Sequence, residues 1–190
     1  NLGLRYAELV RDQLTAMDPD NAVYYGDNLE RFRANVEKMD HAIRTAVATV
    51  PESNRKLLTY HDSWAYFAKR YGMEVIGAVQ PSNFSQPSVR EVAALIDQVK
   101  ELGLPAVFGS EVFSSDVLES IAREADVEFI DDLADDNLPG KPGDVDHTYL
   151  GLMKQNITIM IPALGGDASS MIGLDIGNVF EEASGAIYPQ

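Results

Sequence analysis

The sequence predicts an α/β fold: a parallel four-stranded sheet flanked by helices and preceded by long helices. Three observations predict it. Up to Pro51 the apolar residues recur at steps of three and four, the period of a helix that buries one face. Beyond Pro51 they gather into four short runs of strand length, apolar enough to be buried on both faces. Helix-length stretches separate those runs, and a strand, helix, strand alternation makes parallel pairs joined by crossovers.

Each element has its own signal. Leu4 to Met17 carries Leu9, Val10 and Leu14 and then meets Asp18-Pro19, where the residue before proline is driven out of the helical region. From Asp20 the residues Leu29, Phe32, Val36, Met39, Ile43 and Val47 form one stripe, which predicts a helix of about eight turns. Lys56 to Tyr60, Glu74 to Val79, Ala106 to Gly109 and Val127 to Ile130 are the predicted strands. Ser63 to Tyr71, Ser88 to Leu102 and Ser114 to Ala125 are the predicted helices between them. The second opens with Ser88 and, three places on, Glu91, the pattern of a capping box. Asp132 to Asp146 is rich in Asp, Gly, Pro and Asn and should be an exposed loop. Thr148 to Leu164 returns to helix and stops at Gly165-Gly166. No clean period runs through Asp167 to Gln190.

At 190 residues the chain has room for one well-buried domain. The expected division is a helical segment at 1–50, an α/β lobe at 51–165 and a tail at 166–190. A net charge of −15 argues against nucleic acid or an anionic membrane, whose phosphates are held by clustered Lys and Arg. No apolar run approaches the roughly 20 residues that cross a bilayer. With no cysteine, neither disulfides nor a thiolate metal site can form, so any metal must be held by nitrogen and oxygen. The chain starts at Asn1 without a signal segment, as a fragment or processed chain would.

Strands of such a sheet present ligands at their carboxyl ends, and three residues there are candidates. His61 sits at a predicted strand-to-helix turn, where an imidazole either binds a metal through one nitrogen or caps the helix. Asp131 and Asp132 end the fourth strand; neighbours point apart, so at most one faces the pocket of His61, and both suit a loop that satisfies backbone amides. Glu111, after the third strand, either orients a ligand or favours the dipole of the next helix. His41 and His147 lie away from strand ends and are expected at the surface or in packing. Asp132, Asp135 and Asp136 lack the spacing and closing Glu of a calcium loop, and there is no phosphate-cradling glycine loop or nucleophile elbow.

The segment from Leu57 to Gly72, with Tyr60-His61-Asp62-Ser63-Trp64-Ala65-Tyr66-Phe67 at its centre, resembles the His-Asp-x-x-x-Tyr-Phe signature of zinc and manganese ABC-transporter substrate-binding proteins. Asp18-Pro19-Asp20-Asn21 through Tyr25 is similar to that family's Asp-Pro-x-Asn-x-x-x-Tyr turn. Gln80-Pro81-Ser82, Pro87-Ser88, Val107 to Glu111 and Tyr149 to Met153 follow in family order. The resemblance covers most of the chain to about Leu164.

It implies the carboxyl-terminal lobe of a two-lobed bacterial receptor, periplasmic or lipid-anchored outside the cell, which delivers a metal ion to an ABC-transporter permease without catalysis. By the same resemblance His61 is the third ligand and Asp131 the fourth, and the first two, usually histidines, lie upstream of Asn1. A His-carboxylate pair suits Zn²⁺ and Mn²⁺ alike, and the Irving–Williams order favours zinc at equal geometry. Two alternatives belong to other classes. One is a magnesium-dependent phosphotransfer enzyme using Asp131, Asp132 and Glu111, and the other an adhesin or interaction module betrayed by exposed aromatic patches.

Overall fold

The computed structural model describes residues 2–80, 87–110 and 116–176. Helix α1 (Leu2–Met17) lies antiparallel to α2 (Ala22–Thr49), and Arg33 donates to Glu8 at 3.0 Å between them. The turn that joins them explains the spacing Asp18, Asn21, Tyr25. One oxygen of Asp18 accepts from the Asn21 amide at 2.8 Å and from the Tyr25 hydroxyl at 2.7 Å, so the two donors hold its carboxyl below the usual range. The stripe predicted for α2 is the buried one: Leu29, Val36, Met39, Ile43 and Val47 are all inside, with Phe32 half-buried beside them. Its outward-facing neighbour differs. Tyr6, Leu9, Val10, Leu14 and Met17 of α1 are exposed, and α1 buries no residue fully.

The sheet has four parallel strands: β1 (Lys56–His61), β2 (Glu74–Gln80), β3 (Ala106–Phe108) and β4 (Glu128–Ile130). Helices α3 (Ala65–Tyr71), α4 (Val89–Leu102) and α5 (Asp116–Ala125) are the crossovers, and α6 (Tyr149–Ala163) follows the loop after β4. Strand order is β2-β1-β3-β4. The chain therefore starts inside the sheet, moves to one edge and returns to build the other, so β1 and β3 are neighbours whose crossovers lead to opposite edges. In open α/β sheets such a reversal of strand order is where a ligand crevice forms, at the carboxyl ends of β1 and β3.

Alternating side chains divide the core in two. Leu57, Ala106 and Phe108 pack with α2, α3 and α6 on one face, and Leu58, Tyr60 and Val107 with α4 and α5 on the other. The predicted helix opening at Ser88 is a complete capping box, in which Ser88 accepts from the Glu91 amide and Glu91 reaches back to the Ser88 amide. Gly72 and Gly103 end α3 and α4 in the left-handed conformation, which glycine adopts without steric cost.

Boundaries moved slightly. His61 is the last residue of β1 rather than part of the turn, and Gly109 falls just past β3. The stretch from Asp132 to Asp146 contains neither helix nor strand, as its composition predicts. The unperiodic segment after Leu164 is partly built into the fold: a short 3-10 turn, Ser169–Met171, carries Met171 into the core, and Ile176 is buried beside it.

Candidate metal centre

His61 and Asp131 stand on the same edge of the sheet with one strand between them. Register sets Thr59, Phe108 and Ile130 in one row across β1, β3 and β4. His61 thus lies two residues beyond that row and Asp131 one. Two strand spacings put their backbones about 10 Å apart laterally. An imidazole and a carboxylate are together long enough to span that gap around one ion, whose ligand distances are about 2.0–2.2 Å.

The backbone at His61 is held from within its own strand. The buried Thr59 hydroxyl donates to the His61 carbonyl at 2.7 Å, and the Tyr60 and His61 rings meet edge-on at 4.6 Å. His61 is half-buried and does not cap α3; the capping position is Trp64, with no side-chain cap bond. Asp131 and Asp132 are both exposed, and among the described residues neither side chain makes a hydrogen bond to a backbone amide. Neither acid therefore spends itself on loop-forming contacts. Glu111 lies outside the described residues.

The strand between the two candidates ends in small residues. Gly109 is pressed against β4, its amide donating to the Ile130 carbonyl at 2.6 Å. A side chain there would meet the Asp131 backbone at 3.1 Å and the Phe129 ring at 3.2 Å. Ser110, only 6% exposed, follows Gly109 at the carboxyl end of β3.

One residue that the sequence did not single out joins this edge together. One carboxylate oxygen of Asp135 accepts from Ser63 at 2.9 Å and the other from Ser110 at 3.4 Å, linking the turns after β1, β3 and β4. Its neighbour Ala134 is fixed by the buried Asn156 of α6, which donates to the Ala134 carbonyl at 2.6 Å and accepts from its amide at 2.8 Å. Such a side chain imitates a missing strand, satisfying both backbone groups of a buried residue. A further anchor lies behind His61. Trp64, Phe67 and Tyr71 stack along α3, and Tyr71 and Arg70 donate to Asp40 of α2 at 2.8 and 2.6 Å. Burial raises the Asp40 carboxyl, but Arg70, Tyr71 and Arg44 together outweigh it and hold the group at about 2. Burial, then the hydrogen bond to Asp40, pushes the Tyr71 hydroxyl up.

His41 is exposed, and His147 packs its ring nitrogen 2.9 Å from the Pro139 carbonyl, as expected of histidines away from the strand ends. Among the described residues no three His, Cys, Asp or Glu side chains converge as a metal site. Two surface grooves, about 520 Å³ beside Pro139, Asp146 and Lys154 and about 540 Å³ between α3 and Tyr149, are lined by neither His61 nor Asp131.

Matched over residues 1–163 is the family profile described as the zinc-uptake complex component A, periplasmic, or ZnuA. The chain belongs to this family. ZnuA relatives are receptors rather than enzymes, which sets the phosphotransfer alternative aside. The manganese-binding lipoprotein MntA of Halalkalibacterium halodurans is 27% identical over 161 residues, covering 85% of this chain and 53% of its own. The iron-binding protein YfeA of Yersinia pestis is 26% identical over 163 residues, covering 85% and 52%. Among solved structures, the periplasmic zinc-binding protein TroA of Treponema pallidum superposes with a TM-score of 0.74 at 26% identity, over 83% of this chain and 58% of that one. The chain spans about half the length of the curated ZnuA-family relatives it matches.

Proposed function

We propose that this chain is the carboxyl-terminal lobe of an extracytoplasmic receptor that captures a transition-metal ion and presents it to the permease of an ABC importer, with His61 and Asp131 as its two ligands. The observation that carries this reading is their common edge: His61 ends β1 at the crevice where the sheet changes direction, and Asp131 follows β4 one residue nearer the paired row. Residues 1–50 are then the connection from the other lobe and residues 51–165 the ligand-bearing lobe. The exposed apolar face of α1 suits the same arrangement, because a preceding lobe would cover it.

Related proteins carry the names of manganese, iron and zinc, and the His-carboxylate pair accommodates each. Zinc is the preferred cargo in this reading, since nitrogen and oxygen ligands of equal geometry bind it more tightly than manganese. Two ligands alone leave most of the coordination shell to water, so tight capture needs donors from the other lobe. Function here is closure around an ion and release to a permease, with no bond made or broken.

Calorimetric titration of zinc and manganese into the native-length protein tests the assignment. His61→Ala and Asp131→Ala should each weaken binding by about 10–100-fold or more. Unchanged affinity in either variant, or magnesium binding indifferent to His61, would sink it.

A further inference from the structure

At the carboxyl ends of β1 and β3 one side chain is used by no ligand assignment. We propose that Asp135 is a positioning residue that fixes the spacing between the turn carrying His61 and the loop carrying Asp131. The inference rests on the receptor reading above and adds a residue to it.

Four observations meet at this point. Asp135 lies four residues past Asp131 on one loop, and Ser63 two residues past His61 on another, and the two side chains bond at 2.9 Å. Ser110, buried at the end of the strand between them, reaches the second oxygen of the same carboxylate at 3.4 Å. The loop has little freedom to shift on its own, because Asn156 grips Ala134 through both its amide and its carbonyl. Finally, Gly109 lets β3 close on β4 so tightly that the Asp131 backbone is set against it. The backbone of Asp131 thus packs against Gly109 after β3, and its loop is tied by the same bridge to Ser63, two residues past His61.

A brace of this kind matters for an ion more than for a larger ligand. Coordination tolerates only a few tenths of an ångström, and groups that orient ligands without touching the metal commonly carry about a 10–100-fold effect on affinity. The bridge needs an acceptor for Ser63 and a polar partner for Ser110. For these two contacts a full negative charge is not required. An asparagine would serve, its oxygen accepting from Ser63 and its amide donating to the Ser110 hydroxyl oxygen.

That difference makes the test. Zinc affinity of the native-length protein is measured for Asp135→Ala, Asp135→Asn, the Ser63→Ala/Ser110→Ala pair and all three alanines together, with thermal unfolding of each metal-free protein alongside. We expect Asp135→Ala and the serine pair each to weaken zinc about 10–100-fold, the triple variant to be no worse than either, and Asp135→Asn to stay within about threefold of the parent. If Asp135→Asn is as damaging as Asp135→Ala while the serine pair is silent, the carboxylate acts through its charge or as a ligand, and the positioning role is overturned. Full affinity in Asp135→Ala overturns it as well. Should Asp135→Ala fail to fold, the serine pair against Asp135→Asn decides alone. Zinc binding that His61→Ala leaves untouched overturns the receptor reading itself, and this inference with it.

Discussion

Asp40 accepts from three donors at once, and its titration should be legible in the stability of the protein. Its carboxyl is depressed from 3.8 to about 2, so its contribution is present in full above the unfolded value and is lost as pH falls through the folded one. With a side chain 19% exposed, the group is worth on the order of 2 kcal/mol. Asp40→Asn should lower urea-denaturation stability by about that much at neutral pH, and the difference from the parent should vanish between about pH 4 and pH 2. Gly109→Ala offers a second residue-scale outcome. Its methyl group would sit 3.1 Å from the Asp131 backbone, so a loss of about 1–3 kcal/mol and weaker zinc binding are expected, readable by denaturation and calorimetry. The sequence placed His61 and Asp131 at strand ends from hydrophobic runs alone, because a strand end is a local feature. Asp135 escaped it for the opposite reason: its partners Ser63 and Ser110 are 72 and 25 residues away, and in the sequence it is one acid among several in a loop.

Among elements, those written in local chemistry were read most fully. Ser88 and Glu91 announce α4, and replacing Ser88 with Ala should cost about 1 kcal/mol by denaturation, since the Glu91 amide loses its acceptor. The loop after β4 was legible only as a loop; what shapes it is Asn156 on α6. Asn156 is 1% exposed and looks, in sequence, like a lone polar residue in an apolar helix. Asn156→Ala should strand the amide and carbonyl of Ala134 together and cost about 2–4 kcal/mol in urea unfolding. A smaller penalty would mean that the loop finds other partners. The short turn at Ser169–Met171 and the burial of Ile176 were not legible at all, because no period governs them and their partners lie on α2, more than a hundred residues earlier.

For the whole molecule the decisive quantity is the coupling of metal to stability. Zinc at about 100 times its dissociation constant should raise the native-length protein by about 2.7 kcal/mol, seen as a shift in thermal unfolding. On the proposed assignment of His61 and Asp131, the 190-residue chain should shift far less at the same concentration, and equal shifts would contradict the shared-site reading. The fold class was legible here because the change of period at Pro51 divides helix from alternating sheet without any tertiary information. Order along the chain is another matter. The Asp167 amide donates to Thr49 at 2.7 Å across 118 positions, and Ser170 donates to the Ala42 carbonyl at 2.9 Å across 128, while Met171 and Ile176 fill the core beside α2. One wall around the long helix is therefore supplied by some of the last residues to be made among those described. During synthesis β1, α3 and α6 can cover the rest of the stripe on α2 earlier, but this wall must wait for roughly 126 further residues. At ordinary translation rates that delay is about 6–25 s, long enough for a chaperone to find it.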